Sequence, residues 1–196
     1  MIANVSRIED GRRRRGDQSR QQIVEAMLVL VRGGNMSPSA AQVAERAGVG
    51  LRTVFRHFEE MEVLYREMAE VTQARILPII EKPYTQTAWR DRLLEMAERR
   101  IQIHEDIMPL KIAASVLRFR SAFLMDDYTN HLRLERKTLE AVLPIGVRKD
   151  QTLLRALEMV SSFQAWRRLR RDQALTVVEA RRVVLRLLNG VLSGHD

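Results

Sequence analysis

The chain has 196 residues and no cysteine. Disulfide bonds, thiol catalysis and thiolate metal centres are therefore excluded. Only five prolines and nine glycines interrupt the sequence, which leaves room for long helices. No apolar run approaches the roughly 20 residues that a membrane-spanning helix requires. No basic-then-apolar signal region opens the chain, so we expect a cytoplasmic protein without membrane contact.

Motifs of catalysis are also missing. The chain has no phosphate-cradling glycine loop and no Gly-x-Ser-x-Gly elbow. Its histidines are His57, His104, His131 and His195. His131 and Glu135 are spaced i, i+4 on a predicted helix, where a shared metal ion is one interpretation. Two ligands do not make a metal site, and an i, i+4 ion pair is favoured. We therefore predict no enzyme, no cofactor and no metal.

Positive charge is plentiful but unevenly distributed. The net charge is +8. Residues 1–58 hold ten Lys or Arg against five acidic residues, residues 59–144 hold thirteen against fifteen, and residues 145–196 hold ten against five. A basic N-terminal unit followed by a mildly acidic middle is typical of a DNA-binding head on a neutral body.

The segment from about residue 39 to residue 64 is predicted to fold as two short helices joined by a tight turn. The first helix has a narrow apolar face formed by Ala40, Val43, Ala44 and Ala47. Ser39 and Gln42 match a capping box, while Ser37 before Pro38 is an alternative start. Gly48 is expected to end the helix in the left-handed conformation.

The second helix is predicted at about residues 51–57, with Val54 and Phe58 facing inward. Its other face carries Leu51, Arg52, Thr53, Phe55, Arg56 and His57. In a helix-turn-helix the second helix enters the major groove with its N-terminal residues leading. Arg52 then has the geometry to bind guanine, and Thr53 can reach a phosphate or a thymine methyl. An ordinary helical hairpin with a solvated basic face is the alternative.

The stretch VAERAGVGLRTVFRHF, followed by Leu64, resembles the tetracycline-repressor (TetR) family of transcriptional regulators. The resemblance covers about residues 19–64. It implies a DNA-reading unit followed by an all-helical ligand-binding and dimerisation body. It also implies two sets of DNA contacts, to bases from Leu51, Arg52 and Phe55, and to phosphates from Thr53 and His57.

Residues 1–18 show no apolar periodicity and are predicted to form a flexible basic arm. The arginine run is expected to reach a minor groove or lie along phosphates, and a solvated or expression-related tail is the alternative. The complete predicted DNA-binding set is Arg12, Arg13, Arg14, Arg15, Ser39, Leu51, Arg52, Thr53, Phe55, Arg56 and His57.

The predicted fold is all-α, with the arm at 1–18, a three-helix helix-turn-helix domain at 19–65 and a helical ligand-binding and dimerisation body at 66–196. The first helix is expected at 19–32. A connecting helix is expected at 61–77, and body helices are expected at 87–105, 110–123, 126–142, 151–171 and from 176 onward. Pro78, Pro83, Pro109 and Pro144 are expected to separate them.

Two sets of body residues are candidate contact sites. Bulky side chains near the helix breaks predict a ligand pocket, with ordinary core as the alternative: Trp89, Met96, His104, Phe119, Phe123 and Tyr128. The last two helices are apolar on more than one face, which predicts an isologous four-helix interface with a second copy. The dimer candidates are Leu157, Val160, Trp166, Val184, Leu188 and Val191, and a purely intramolecular core is the alternative.

The function predicted from these features is a dimeric DNA-binding transcriptional regulator. By family habit it would be a repressor that binds a palindromic operator and is released by a small molecule. Its expected partners are double-stranded DNA, a second copy of itself and that ligand. The alternative is a helical-bundle enzyme or partner-binding module with a vestigial DNA-binding head.

Overall fold

The computed structural model describes the backbone of residues 2–57 and 61–193 and the side chains of residues 16–57 and 62–193. Within these ranges every regular element is helical and no strand occurs, which confirms the all-α prediction. The α-helices are α1 Ile2–Arg32, α2 Ala40–Ala47, α3 Leu51–His57, α4 Met61–Glu81, α5 Trp89–Leu117, α6 Ala122–Val142, α7 Ile145–Lys149, α8 Gln151–Val160, α9 Phe163–Arg167 and α10 Val177–Leu192. A 3₁₀ turn at Arg118–Arg120 follows α5, and a π turn at Arg168–Asp172 follows α9.

The helices form two compact units. The first contains Met1–Gln73 and Pro109–Met125, and the second contains Ala74–Met108 and Asp126–Asp196. Both α4 and α5 contribute residues to each unit. None of the described helices is long and apolar enough to cross a membrane.

The first unit is built around the helix-turn-helix. Its core takes side chains from α1 to α6, among them Ile23, Met27, Val43, Val54, Leu64 and Met68. Leu110, Ala113 and Leu124 belong to the same core. Residues 109–125, which the sequence placed in the body, therefore pack with the N-terminal unit because their apolar face completes its core.

Two proline breaks predicted from the sequence are wrong. Pro78 lies inside α4 and Pro109 lies inside α5, so each helix continues past its expected end. Proline in a helix interior removes one backbone hydrogen bond and costs about 3 kcal/mol. At Pro109, burial of the flanking side chains offsets that cost, since Met108 and Leu110 are 3% and 7% exposed.

Helix α1 begins at Ile2 rather than at Ser19, so the backbone of residues 2–18 is helical where a flexible arm was expected. The segment contains no proline, and arginine is a good helix former. The side chains of Arg12, Arg13, Arg14 and Arg15 lie outside the described residues, as do Phe58 and His195. Helix α6 begins at Ala122, four residues before the expected Asp126, with Leu124 N donating to Ser121 Oγ at 3.1 Å.

The second unit contains the C-terminal helices. The single helix expected at 151–171 is interrupted at Ser161–Ser162, because Ser162 caps a new helix by accepting a hydrogen bond from Ala165 N at 3.2 Å. Asp150 caps α8, and Thr176 with Glu179 forms a capping box on α10, as the sequence predicts. Helix α10 packs on α8 and buries Ala180, Val184, Leu188 and Leu192.

Candidate nucleic-acid interface and ligand cavity

The turn between α2 and α3 has the geometry of a helix-turn-helix. Ser39 Oγ accepts a hydrogen bond from Gln42 N at 3.3 Å, and Gln42 Oε1 accepts one from Ser39 N at 2.9 Å. Both halves of the predicted capping box are thus present. Gly48 ends α2 at φ 65°, and the amide of Val49 donates to Ala44 O at 3.1 Å. The chain reverses sharply here because glycine adopts this conformation without steric cost.

Helix α3 has one buried face and one exposed face. Val54 is 2% exposed within the core of the first unit, and half-buried Val49 packs against the same core. On the outer face Leu51 is 45% exposed and Phe55 is 54% exposed, one helical turn apart. Arg52 is exposed between them. The surface thus combines large apolar side chains with positive charge, a composition that suits thymine methyls, guanine edges and phosphates.

The C-terminal end of α3 is held close to α1. A Cβ atom added to Gly16 would lie 3.9 Å from His57 Cε1, so α1 passes beside this ring. Partial burial, together with the charges of Arg56 and Arg20, lowers the pKa of His57. Its Nε2 atom lies 3.4 Å from Arg56 Nη2. His57 thus lies where α3 passes close to α1, with a second basic side chain beside it.

The predicted DNA-contact residues of α3 share one surface of the first unit. Thr53 and His57 are half-buried at its edge, whereas Leu51, Arg52, Phe55 and Arg56 are exposed. Ser39 is also exposed at the start of α2, where its hydroxyl serves as the helix cap.

A cavity of about 50 Å³ lies in the second unit. It is lined by Ile76, Ile80, Tyr84, Met96, Arg99, Arg100, Ile103, His104, His131, Leu134, Glu135 and Thr138. Of the six predicted pocket residues, Met96 and His104 line this cavity.

The other four predicted pocket residues lie elsewhere. Phe119 is 75% exposed, and the guanidinium of Arg66 lies over the ring of Phe123 in the first unit, at 4.7 Å. Trp89 stacks with Arg90 at 5.1 Å. Tyr128 accepts a hydrogen bond from the side chain of Gln164 at 3.5 Å. Side-chain size and helical spacing are therefore not enough to distinguish residues that line the cavity from residues that do not.

One end of the cavity is polar. His104 Nε2 lies 3.1 Å from Glu135 Oε1, and His131 Nε2 lies 3.5 Å from the same oxygen. Burial opposes ionisation of Glu135, but the hydrogen bond with His104 and the closeness of His131 outweigh burial and hold its pKa below the usual range. Burial lowers the pKa of His104, and the partnership with Glu135 only partly offsets that effect. The polar end of the cavity thus holds one carboxylate and two imidazoles.

A buried arginine closes the cavity on one side. Arg100 is 6% exposed and donates to Ser161 Oγ at 2.7 Å, to Thr138 Oγ1 at 2.8 Å and to the carbonyl of Glu135. Burial lowers its pKa, and Glu135 acts in the opposite direction. Sequence patterns do not predict this cluster, because Arg100 and Glu135 are 35 positions apart and meet only through contact between α5 and α6.

The residues predicted to form a dimer interface are mostly inside the chain's own core. Leu157, Trp166, Val184 and Leu188 are each at most 4% exposed. Val160 and Val191 are half-buried. The large apolar side chains that remain exposed on α8 and α10 are Met159, Val177, Val178 and Leu187.

Comparisons with known proteins give one informative result. No protein-family model matches the sequence, and a search of curated proteins finds no significant match. Among solved structures, a transcriptional regulator from Rhodococcus sp. Rha1 is similar, with a TM-score of 0.70 at 18% sequence identity. The alignment covers 89% of this chain and 96% of that chain. This similarity shows the fold: an all-α helix-turn-helix unit with a helical body.

Proposed function

We propose that the protein is a DNA-binding transcriptional regulator whose helix α3 enters the major groove. The observation that carries this proposal is the exposure of Leu51, Arg52 and Phe55 on the outer face of a capped helix-turn-helix. Large apolar side chains on a solvent-facing helix have no packing role in the monomer, so they favour a contact surface. The solved regulator with the same fold supports this interpretation.

Each residue of the surface has a distinct role in this proposal. Arg52, near the N-terminus of α3, donates to the O6 and N7 atoms of a guanine. Leu51 and Phe55 pack against thymine methyl groups. Thr53, His57 and Arg56 bind phosphate oxygens and set the position of α3. The arginine run of residues 12–15 adds non-specific affinity for the duplex.

We further propose that the regulator acts as a homodimer on an inverted repeat. One face of α10 is buried within the chain's own core. On another face, Leu187 is 48% exposed, and Val183 and Val191, one turn away on either side, are half-buried. This second face of α10 is the surface for a second copy. A dimer of this kind reads two half-sites about 34–36 Å apart, or a multiple of that distance.

A small molecule bound in the second unit would make the regulator responsive, as the resemblance to the TetR family implies. The cavity has an apolar wall with Ile76, Ile80 and Ile103, and a polar end with Glu135. The cavity of about 50 Å³ must open to admit a ligand, and its two ends would match an apolar body and one polar group. Repression that the ligand relieves is the expected mode of action.

The test is a selection experiment. Genomic DNA fragments are incubated with the purified chain at moderate salt, and bound fragments are recovered and sequenced. If the proposal is correct, the bound fragments share one inverted repeat. Recovery of unrelated fragments, with an affinity that depends only on salt concentration, would contradict sequence-specific binding by α3. The function would then have to reside in the helical body.

A further inference from the structure

We propose that His104, His131 and Glu135 form a binding site for a divalent transition-metal ion, best matched by Zn²⁺. One ligand atom from each residue lies within 4.8 Å of the ligand atoms of the other two. His131 and Glu135 come from successive turns of α6, and His104 comes from α5. This inference concerns the second unit alone and does not depend on DNA binding.

The distances between these atoms already approach those of a metal centre. Zn²⁺ binds imidazole nitrogen and carboxylate oxygen at about 2.0–2.1 Å, so two ligands of a tetrahedral ion are separated by about 3.3 Å. Glu135 Oε1 lies 3.1 Å from His104 Nε2 and 3.5 Å from His131 Nε2. Only small side-chain rotations are needed to admit the ion.

A second observation concerns the nitrogen of His131. His131 Nε2 is buried and makes no hydrogen bond within the described part of the chain. The Glu135 oxygen lies 3.5 Å away, at the outer limit for a hydrogen bond. Buried polar atoms in native proteins almost always have a partner. A metal ion would supply one for this nitrogen.

Phe163 contacts all three candidate ligands and orients them. The backbone N–H of Phe163 donates to Glu135 Oε1 at 2.8 Å. The ring of Phe163 meets both imidazoles edge-on, with centroids 5.7 Å from His104 and 6.1 Å from His131. Such supporting contacts orient the ligands of metal sites before the ion arrives.

The charges and donor types select the class of metal. The site offers two imidazoles and one carboxylate, and Arg100 places a positive charge close by. Mg²⁺ and Ca²⁺ prefer oxygen donors and several carboxylates, so both fit poorly. Zn²⁺ and Co²⁺ bind imidazole strongly enough to tolerate the guanidinium. A water molecule in the cavity of about 50 Å³ can occupy the fourth position.

The experiment uses the full chain, stripped of metal with a chelator and titrated with Zn²⁺ against a competing chromogenic chelator. We expect one tight site per chain. Both His131→Ala and Glu135→Gln should weaken Zn²⁺ binding by at least about 100-fold, since loss of even a supporting contact costs 10–100-fold. The matched control is Glu140→Gln, which removes the same charge from α6 at a residue that pairs with Arg136. This control should leave the affinity for Zn²⁺ unchanged.

A second measurement keeps the test decisive if a variant fails to fold. Co²⁺ added to the unmodified chain should give the intense visible absorption of four-coordinate cobalt, whereas Mg²⁺ should not compete. Weak octahedral absorption, equal affinity in all variants, or no Zn²⁺ binding by the native chain would each overturn the proposal. The cluster would then be a hydrogen-bond network, with any metal bound adventitiously at the surface.

Discussion

Replacing Glu105 with alanine should destabilise the second unit more than its partly exposed position suggests. Glu105 Oε1 accepts hydrogen bonds from Trp166 Nε1 at 2.7 Å and from Arg170 Nε at 2.8 Å, and Oε2 accepts one from Arg170 Nη2 at 3.1 Å. Trp166 is 1% exposed, so its N–H group relies on Glu105 rather than on water for a hydrogen-bond acceptor. The carboxylate therefore ties α5 to α9 and the π turn after it.

The expected magnitude follows from these contacts. A buried donor left without an acceptor costs about 1–3 kcal/mol. The ion pair with Arg170 is partly exposed and screened, so its loss adds only about 0.5–1 kcal/mol. Glu105→Ala should thus lower the free energy of unfolding by about 1.5–4 kcal/mol. Glu105→Gln keeps an acceptor for Trp166 and should cost only about 1 kcal/mol.

The assay is urea unfolding followed by tryptophan fluorescence, which reports on the second unit because Trp89 and Trp166 both belong to it. The control is Glu98→Ala, since Glu98 lies on the same helix and pairs with Arg181 in a more exposed position. This control should shift the midpoint far less than Glu105→Ala does. Equal shifts for Glu98→Ala and Glu105→Ala would refute the hydrogen bond to Trp166 as the source of the effect.

Further expected outcomes follow from other contacts. Burial opposes ionisation of Glu105, but hydrogen bonds from Arg170 and Trp166 prevail and lower its pKa. The contribution of Glu105 to stability is therefore present above pH 4.5 and is lost as the pH falls further. Plots of unfolding free energy against pH for the native chain and for Glu105→Gln should converge in acid. Gly48→Ala should destabilise the first unit by about 1 kcal/mol, because Gly48 has a positive φ. Gly190→Ala should stabilise the chain by about 0.5–1 kcal/mol, because a Cβ atom at this helical position would contact nothing within 4 Å. Thermal unfolding measures both effects. Val54→Ala removes two buried methyl groups and should cost about 2–3 kcal/mol, seen as faster amide hydrogen exchange in α3; unchanged exchange would contradict its packing role.

The helix-turn-helix was predictable because its signals are local. Ser39, Gln42 and Gly48 act within a few residues of their own positions, and α3 begins and ends where the sequence indicates. Capping and glycine geometry do not depend on the rest of the fold. The caps of α8 and α10 at Asp150 and Thr176 were found for the same reason.

The helix breaks were less predictable because packing decides them. Pro78 and Pro109 are expected to end helices, but α4 and α5 continue through them, and beside Pro109 both Met108 and Leu110 are buried. Ser161 and Ser162 were read as interior residues of one long helix, yet they separate α8 from α9. Serine is compatible with either role, and only tertiary contacts decide between them.

The cluster of His104, His131 and Glu135 shows most clearly what the sequence alone does not predict. The spacing of His131 and Glu135 is visible in the sequence, but His104 joins them only through the packing of α5 on α6. Long-range pairs of this kind carry no periodic signal. In the same way, apolar periodicity marked Leu157 and Val184 as candidates for a dimer interface, while the structure buries them within the chain.

The most direct measurement of the central claim is the effect of Arg52→Ala on binding to the selected inverted repeat and to a scrambled duplex. The control is Arg155→Ala, which removes the same charge from an exposed residue of α8 in the second unit. Arg52→Ala should cost about 1–3 kcal/mol on the repeat and remove most of the preference over the scrambled duplex, while Arg155→Ala should change neither. An unchanged preference after Arg52→Ala would contradict direct readout by α3.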